Sequence, residues 1–198
     1  MKTTSQNIPY EAIVIGVSSG GMNAMKTIFS LLPKGFSTPI IIVQHISAHS
    51  DNKWIKILND KSNVYIKEAD EKEKIENGIA YIAPSNYHLL IEKNKTFSLT
   101  IDERVNYARP SIDVLFESAA DAYKTKLIGV ILTGSNNDGA KGIKRIQECG
   151  GITIVQDPKT AESSYMPASA IATIQPDYIL PLTNIIELLI KITQPNSN

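Results

Sequence analysis

The stretch Ala12-Ile13-Val14-Ile15-Gly16-Val17-Ser18-Ser19-Gly20-Gly21 decides how this chain is read. Its apolar first half predicts a strand buried on both faces. A Ser/Gly turn follows, and then Met22, Met25, Phe29 and Leu32 recur at helical spacing until Pro33 ends the run. A buried strand that feeds a helix through a tight turn opens a βαβ unit, and such units build a parallel sheet covered by helices on both faces.

The rhythm continues outward from there. Pro39 to Val43 is a second strand, nearly pure Ile and Val; Asp51 is placed to cap a helix carrying Trp54, Ile57 and Leu58. Val64 to Ile66 and Ile79 to Ile82 read as strands, and the mixed-charge run Lys67 to Glu76 as a solvated loop. His88 to Glu92 and Thr96 to Ile101 flank Lys93-Asn94-Lys95, the pattern of an antiparallel hairpin. Pro110-Ser111 opens a helix with Ile112, Leu115, Phe116, Ala119 and Tyr123 on one stripe. Leu127 to Leu132 is a strand, a helix follows Asp138-Gly139 through Ile143 and Ile146, and Gly150-Gly151 stops it. Ile152 to Val155 and Tyr178 to Leu180 complete the strands, and Ile185 to Ile192 forms a last helix. The expected fold is α/β: a doubly wound, mostly parallel sheet with helices on both faces and an inserted antiparallel hairpin. Residues 8–194 form the expected domain, with 1–7 and 195–198 as flexible termini.

Composition narrows the function. With 198 residues, the chain has the size of one domain with a full core. Lys+Arg and Asp+Glu are both 20, so the basic excess of a nucleic-acid binder is missing. The single cysteine, Cys149, excludes an internal disulfide and a Cys-rich zinc site. Met1 to Glu11 lacks the apolar region of a signal peptide, and no apolar run approaches the roughly 20 residues needed to span a bilayer. These features predict a soluble cytoplasmic protein without nucleic-acid partners or membrane insertion.

In an open α/β sheet, ligands bind at the carboxyl ends of the strands. Three such loops carry reactive groups. Gly16-x-Ser18-x-Gly20 is a nucleophile-elbow pattern in its required strand-to-helix context, although a plain Gly/Ser turn or a phosphate cradle also fits it. It lacks the third glycine of the dinucleotide fingerprint and the lysine of a P-loop. A serine needs a base, and His45 ends a strand that can lie beside the elbow. His49 lies in a polar loop, and His88 opens the hairpin, where a surface or structural role is expected. His45-x-x-x-His49 with Asp51 raises a metal alternative, weakened by the missing glutamate of the zinc pattern. Asp138, in a third strand-end loop, is the candidate carboxylate to orient the imidazole; a helix N-cap before Gly139 is its plainer role. The order Ser18, His45, Asp138 differs from that of α/β-hydrolases.

Taken together, these loops resemble the catalytic domain of the chemotaxis protein-glutamate methylesterases, the CheB family. The resemblance is carried by Ile13-Val14-Ile15-Gly16-Val17-Ser18-Ser19-Gly20-Gly21, Ile42-Val43-Gln44-His45, Tyr81-Ile82-Ala83-Pro84 and Arg109-Pro110-Ser111-Ile112-Asp113-Val114-Leu115-Phe116. Gly129-Val130-Ile131-Leu132-Thr133-Gly134, Asp138-Gly139-Ala140 and Met166-Pro167 extend it along nearly the whole chain. It implies a Ser18-His45-Asp138 triad that hydrolyses γ-glutamyl methyl esters on the cytoplasmic helices of chemoreceptors, with glutamine deamidation as a related activity and no metal or organic cofactor. It also implies oxyanion or substrate roles for Ser19 and Ser135, and a cleft position for Met166. Arg109 is a candidate substrate contact near the triad, with a hydrogen bond to a loop carbonyl as the plainer reading. Methylated receptor domains are the implied partners.

The chain departs from the family pattern in four places. There is no room for the usual receiver domain, so a separate regulatory domain is a further expected partner. The common Gly-Met-Gly-x-Asp-Gly is here Gly134-Ser135-Asn136-Asn137-Asp138-Gly139. Ser19 stands for the usual threonine, and Ala108 for the usual histidine before Arg-Pro-Ser. The altered loop motivates a rival reading, a catalytically silent α/β module that binds through the same loops; an esterase with another substrate is a third.

Overall fold

A computed structural model describes residues 10–45 and 53–194. Seven strands form one wholly parallel sheet: β1 (Ala12–Val17), β2 (Ile40–Gln44), β3 (Tyr65–Glu68), β4 (Ile79–Ile82), β7 (Leu127–Ile131), β8 (Ile152–Gln156) and β9 (Tyr178–Leu180). Their spatial order is β3-β4-β2-β1-β7-β8-β9. The chain steps from β1 to one side for β2 and later returns to its other side for β7. Strand order therefore reverses around β1, which makes its carboxyl end the crevice where such sheets bind ligands. β5 (His88–Ile91) and β6 (Phe97–Thr100) pair antiparallel as a separate sheet, the expected hairpin.

Side-chain alternation divides the core between the two faces. Ile13, Ile15 and Val17 point into one cluster with Ile40 and Ile42, under α1 (Gly21–Leu31), α2 (Lys53–Asn59) and α6 (Leu182–Thr193). Ala12, Val14, Ile41 and Val43 point into the other, under α3 (Ile112–Tyr123), α4 (Ala140–Glu148), α5 (Tyr165–Thr173) and the hairpin. Because every residue of β1, β2 and β7 is buried, the strands read as continuous apolar runs rather than alternating ones.

Several expectations change. α5 has no counterpart in the sequence reading, because its Tyr-Met-Pro-Ala-Ser-Ala composition makes no apolar stripe. Ile57, read as part of an apolar helix face, is exposed, whereas Trp54, Ile55 and Leu58 are buried. The mixed-charge run is not all loop: Lys67 and Glu68 belong to β3, and Lys67 pairs with Asp70 and Glu73. His49, Asp51 and the flexible termini expected at 1–7 and 195–198 lie outside the described residues.

Glycine matters most where α3 meets α4. A Cβ on Gly142 would lie 2.5 Å from the Phe116 Cβ and 3.1 Å from the Asp113 Cα, so the two helices approach backbone to backbone. The Gly142 N–H donates to Asp113 Oδ1 at 2.7 Å across this contact. That proximity sets the position of the α3 N-terminus, which points at the crevice.

Candidate active site

Ser18 leaves β1 at the crevice with its backbone held from both sides. Its N–H donates to the Thr133 carbonyl at the end of β7, and its carbonyl accepts from Gln44 Nε2, at 3.0 Å each. Gln44 Nε2 also donates to the His45 carbonyl at 2.9 Å, so one buried amide clamps both candidate residues. The turn itself depends on Gly20, which sits at φ 80° and is the N-cap of α1. A side chain there would face left-handed strain and meet Glu162 and Thr133 at under 3.0 Å.

His45 follows β2, and its N–H donates to the Val17 carbonyl, which fixes the register of the two strand ends. The ring bridges the crevice. Nδ1 lies 3.2 Å from Ser18 Oγ, and Nε2 lies 2.9 Å from Asp138 Oδ2. A fully buried carboxylate facing Nε2 places the ring proton there and leaves the Nδ1 lone pair to be shared by the Ser18 hydroxyl and Asn136 Nδ2, which lies 3.0 Å away.

Asp138 does not cap its own helix. The N-cap of α4 is Gly139 in a left-handed conformation, without a side-chain cap. Instead the Asp138 carboxylate closes the start of α3: Oδ2 accepts from the Ile112 N–H at 2.7 Å, and Oδ1 from the Asp113 N–H at 3.1 Å and the Ser111 hydroxyl at 2.8 Å. Asn106 Nδ2 adds a bond of 3.1 Å. Burial pushes the Asp138 carboxyl up, but the bonds from His45 and the α3 N–H groups outweigh it, so its pKa lies below the ordinary value. Neighbouring Asp113 goes the other way, raised by burial and by the Asp138 charge despite its bond from Gly142. Asp138 therefore contributes stability that is complete above the ordinary carboxylate value of 3.8 and disappears as pH falls through its lowered pKa. In denaturant titrations from about pH 3 to 7, the stability gap between wild type and Asp138→Asn should close only at the acidic end.

The other singled-out residues divide. Ser19 Oγ and Ser135 Oγ meet at 2.8 Å beside the elbow turn. Arg109 Nη1 donates to the Ile101 and Asp102 carbonyls, the plainer of its two expected roles. Met166 is buried against Gly134 and supports that turn from below. His88 is also buried: its Nε2 donates to the Glu103 carbonyl, and its Nδ1 accepts from the Ser111 N–H, steadying the residue that holds Asp138. Among the described residues, no three His, Cys, Asp or Glu side chains converge as a metal site. A hollow of about 740 Å³ between α2 and β3 lies at the sheet edge and is lined by none of these groups.

Sequence reasoning assigns no role to Gln44, Thr133 or Asn106, and marks Asn136 only as a departure from the family's glycine. Gln44 and Thr133 announce themselves as polar residues that end buried apolar strands, where each polar atom must find a partner. Thr133 Oγ1 indeed donates to the Ser19 carbonyl at 2.8 Å.

A family model described as CheB methylesterase matches residues 13–189, which includes every residue of this crevice. The chain belongs to the CheB methylesterase family. A protein of Leptospira interrogans is 62% identical over 187 residues, covering 94% of this chain and 97% of that one. The protein-glutamate methylesterase/protein-glutamine glutaminase of Clostridium acetobutylicum is 34% identical; the match covers 93% of this chain and 53% of that protein. The crystal structure of the Thermotoga maritima CheB methylesterase catalytic domain superposes with a TM-score of 0.88 at 37% identity, covering 92% of this chain and 98% of that one. The α/β fold expected from the sequence is thus that of a CheB catalytic domain. No helix among the described residues is long and apolar enough to cross a membrane.

Proposed function

We propose that the protein is a protein-glutamate methylesterase in which Ser18 is the nucleophile, His45 the general base and acid, and Asp138 the orienting carboxylate. One observation carries this reading: His45 lies between Ser18 Oγ and the buried Asp138 carboxylate, with Nδ1 facing the hydroxyl and Nε2 the carboxylate. Ser18 Oγ attacks the γ-carbonyl carbon of a glutamyl methyl ester as its proton passes to His45 Nδ1. The tetrahedral intermediate collapses when Nδ1–H protonates the methoxy oxygen, and methanol leaves. Water then attacks the glutamyl-serine ester with His45 again as base, releasing a glutamate side chain and restoring Ser18.

Asp138 holds the ring and stabilises the imidazolium without taking its proton. Backbone N–H groups around Ser19 and Ser135 are the proposed oxyanion donors. The substrate class is the methylated cytoplasmic helices of chemoreceptors, met in the cytoplasm, with glutamine deamidation as the related activity and a separate receiver or regulatory domain as a further partner. Residues 8–194 form the catalytic unit.

Fluorophosphonate labelling located by peptide mass spectrometry tests the core of this reading. Modification at Ser18 that vanishes in His45→Ala is the expected result. A folded wild-type protein left unlabelled at Ser18 would sink it in favour of the silent binding module.

A further inference from the structure

The base has a second neighbour that this mechanism does not use. Asn136 Nδ2 lies 3.0 Å from His45 Nδ1, slightly closer than the Ser18 hydroxyl at 3.2 Å. The direction of the amide is fixed at its other end, because Asn136 Oδ1 accepts from the Asp138 N–H at 3.0 Å. Flipping it would break that bond and set two donors face to face. A committed N–H donor therefore stands beside the atom that must hand a proton to the leaving group.

We infer that Asn136 is a specificity-determining residue that favours ester over amide substrates at this site, an inference that rests on the serine-hydrolase reading above. The leaving atom must come within hydrogen-bond reach of His45 Nδ1, and so beside Asn136 Nδ2. A methoxy oxygen has two lone pairs. In the tetrahedral intermediate one takes the proton from Nδ1–H and the other accepts from Asn136. The nitrogen of a glutamine-derived intermediate has one lone pair, which the same proton consumes, and its two N–H groups are donors. Asn136 then faces a donor or nothing, and a polar group is left unpaired in a partly buried site.

Deacylation does not discriminate, since both substrates give the same glutamyl-serine. The attacking water also fits the arrangement: it gives a proton to His45, directs one lone pair at the carbonyl carbon and offers the other to Asn136. Selectivity is confined to the step in which methanol or ammonia departs.

Two otherwise identical helical peptides, one bearing a γ-methyl glutamate and the other glutamine at the same position, test this. Methanol and ammonia release are followed for wild type, Asn136→Gly and Asn136→Asp; the second variant keeps an oxygen to accept from the Asp138 N–H but replaces the donor with a charged acceptor beside His45 Nδ1. Values of kcat/KM are compared because they report acylation. The ratio of amide to ester turnover is expected to rise about tenfold in Asn136→Gly, the weight of one hydrogen bond, and at least as far in Asn136→Asp, whose acceptor pairs with the N–H groups of the leaving nitrogen. Because the ratio is measured within one preparation, partial misfolding does not move it. Equal losses on both peptides would overturn the inference and leave Asn136 as a brace for the Asp138 loop. If Ser18 takes no fluorophosphonate and neither peptide turns over, the hydrolase reading itself fails and this inference with it; labelling with an unchanged ratio defeats the inference alone.

Discussion

Asp138→Asn is expected to lower kcat/KM for the methyl ester by about 10³- to 10⁴-fold while the protein stays folded. Every hydrogen bond of this carboxylate comes from a donor pointing inward: the Ile112, Asp113 and Gly139 N–H groups, the Ser111 hydroxyl, Asn106 Nδ2 and His45 Nε2. An amide has only one oxygen to offer them. If the NH₂ end replaces Oδ2, it meets His45 Nε2 and drives the ring proton to Nδ1, where the lone pair needed by Ser18 is lost. If it replaces Oδ1, it faces Ser111, Asn106 and Asp113, and the side chain is pushed out of the α3 N-terminus. Both placements disable the base. Steady-state kinetics with circular dichroism as the folding control checks this, and a loss below about tenfold would mean that Asp138 serves the helix rather than the ring.

The largest effect on stability is expected from Gly142→Val, far from the reacting atoms in role though not in consequence. Its new Cβ would lie within 3.2 Å of the Phe116 Cβ and of the Asp113 Cα and carbonyl oxygen, so relief requires α3 to move, not merely a side chain to rotate. Overpacking of this kind costs about 3 kcal/mol, a fall in Tm of roughly 6–12 °C for a chain of this size. Displacing α3 also displaces the N–H groups that hold Asp138, so the rate of Ser18 labelling should fall in the protein that remains folded. A Tm unchanged in calorimetry would show that the helices separate freely and that α3 is not the rigid mount for the site.

Much of this was legible in sequence because β1, β2 and β7 are buried on both faces and therefore spelled almost entirely in Ile, Val, Leu and Ala. Their strand ends then pointed to Ser18, His45 and Asp138 without any knowledge of pairing. Two things were not legible. Met166 anchors α5, but a helix spelled largely in Ala, Ser and Thr gives no clear periodic signal. The second is the partner of Asp138: the local pattern Asp138-Gly139 before a helix points to a cap on α4, yet the carboxylate serves α3, 25 residues away in sequence. Propensity sees only neighbours along the chain, and this bond is tertiary. Asn136 was noted as a departure from the family's glycine, but its reach to His45 depends on a side-chain direction that only the Asp138 N–H fixes.

The spacing of the three groups also bears on how the chain acquires its reactivity. Ser18 and His45 are 27 residues apart, and His45 and Asp138 are 93 apart. The second contact cannot form until β7 has docked beside β1, because Asp138 lies in the loop that follows that strand. A nascent chain that has emerged only as far as β4 holds the nucleophile and the base in adjacent strands, yet has no carboxylate to fix the ring. On the proposed mechanism the serine lacks an oriented base throughout synthesis, and is expected to become reactive only when the second half of the sheet has closed over the first.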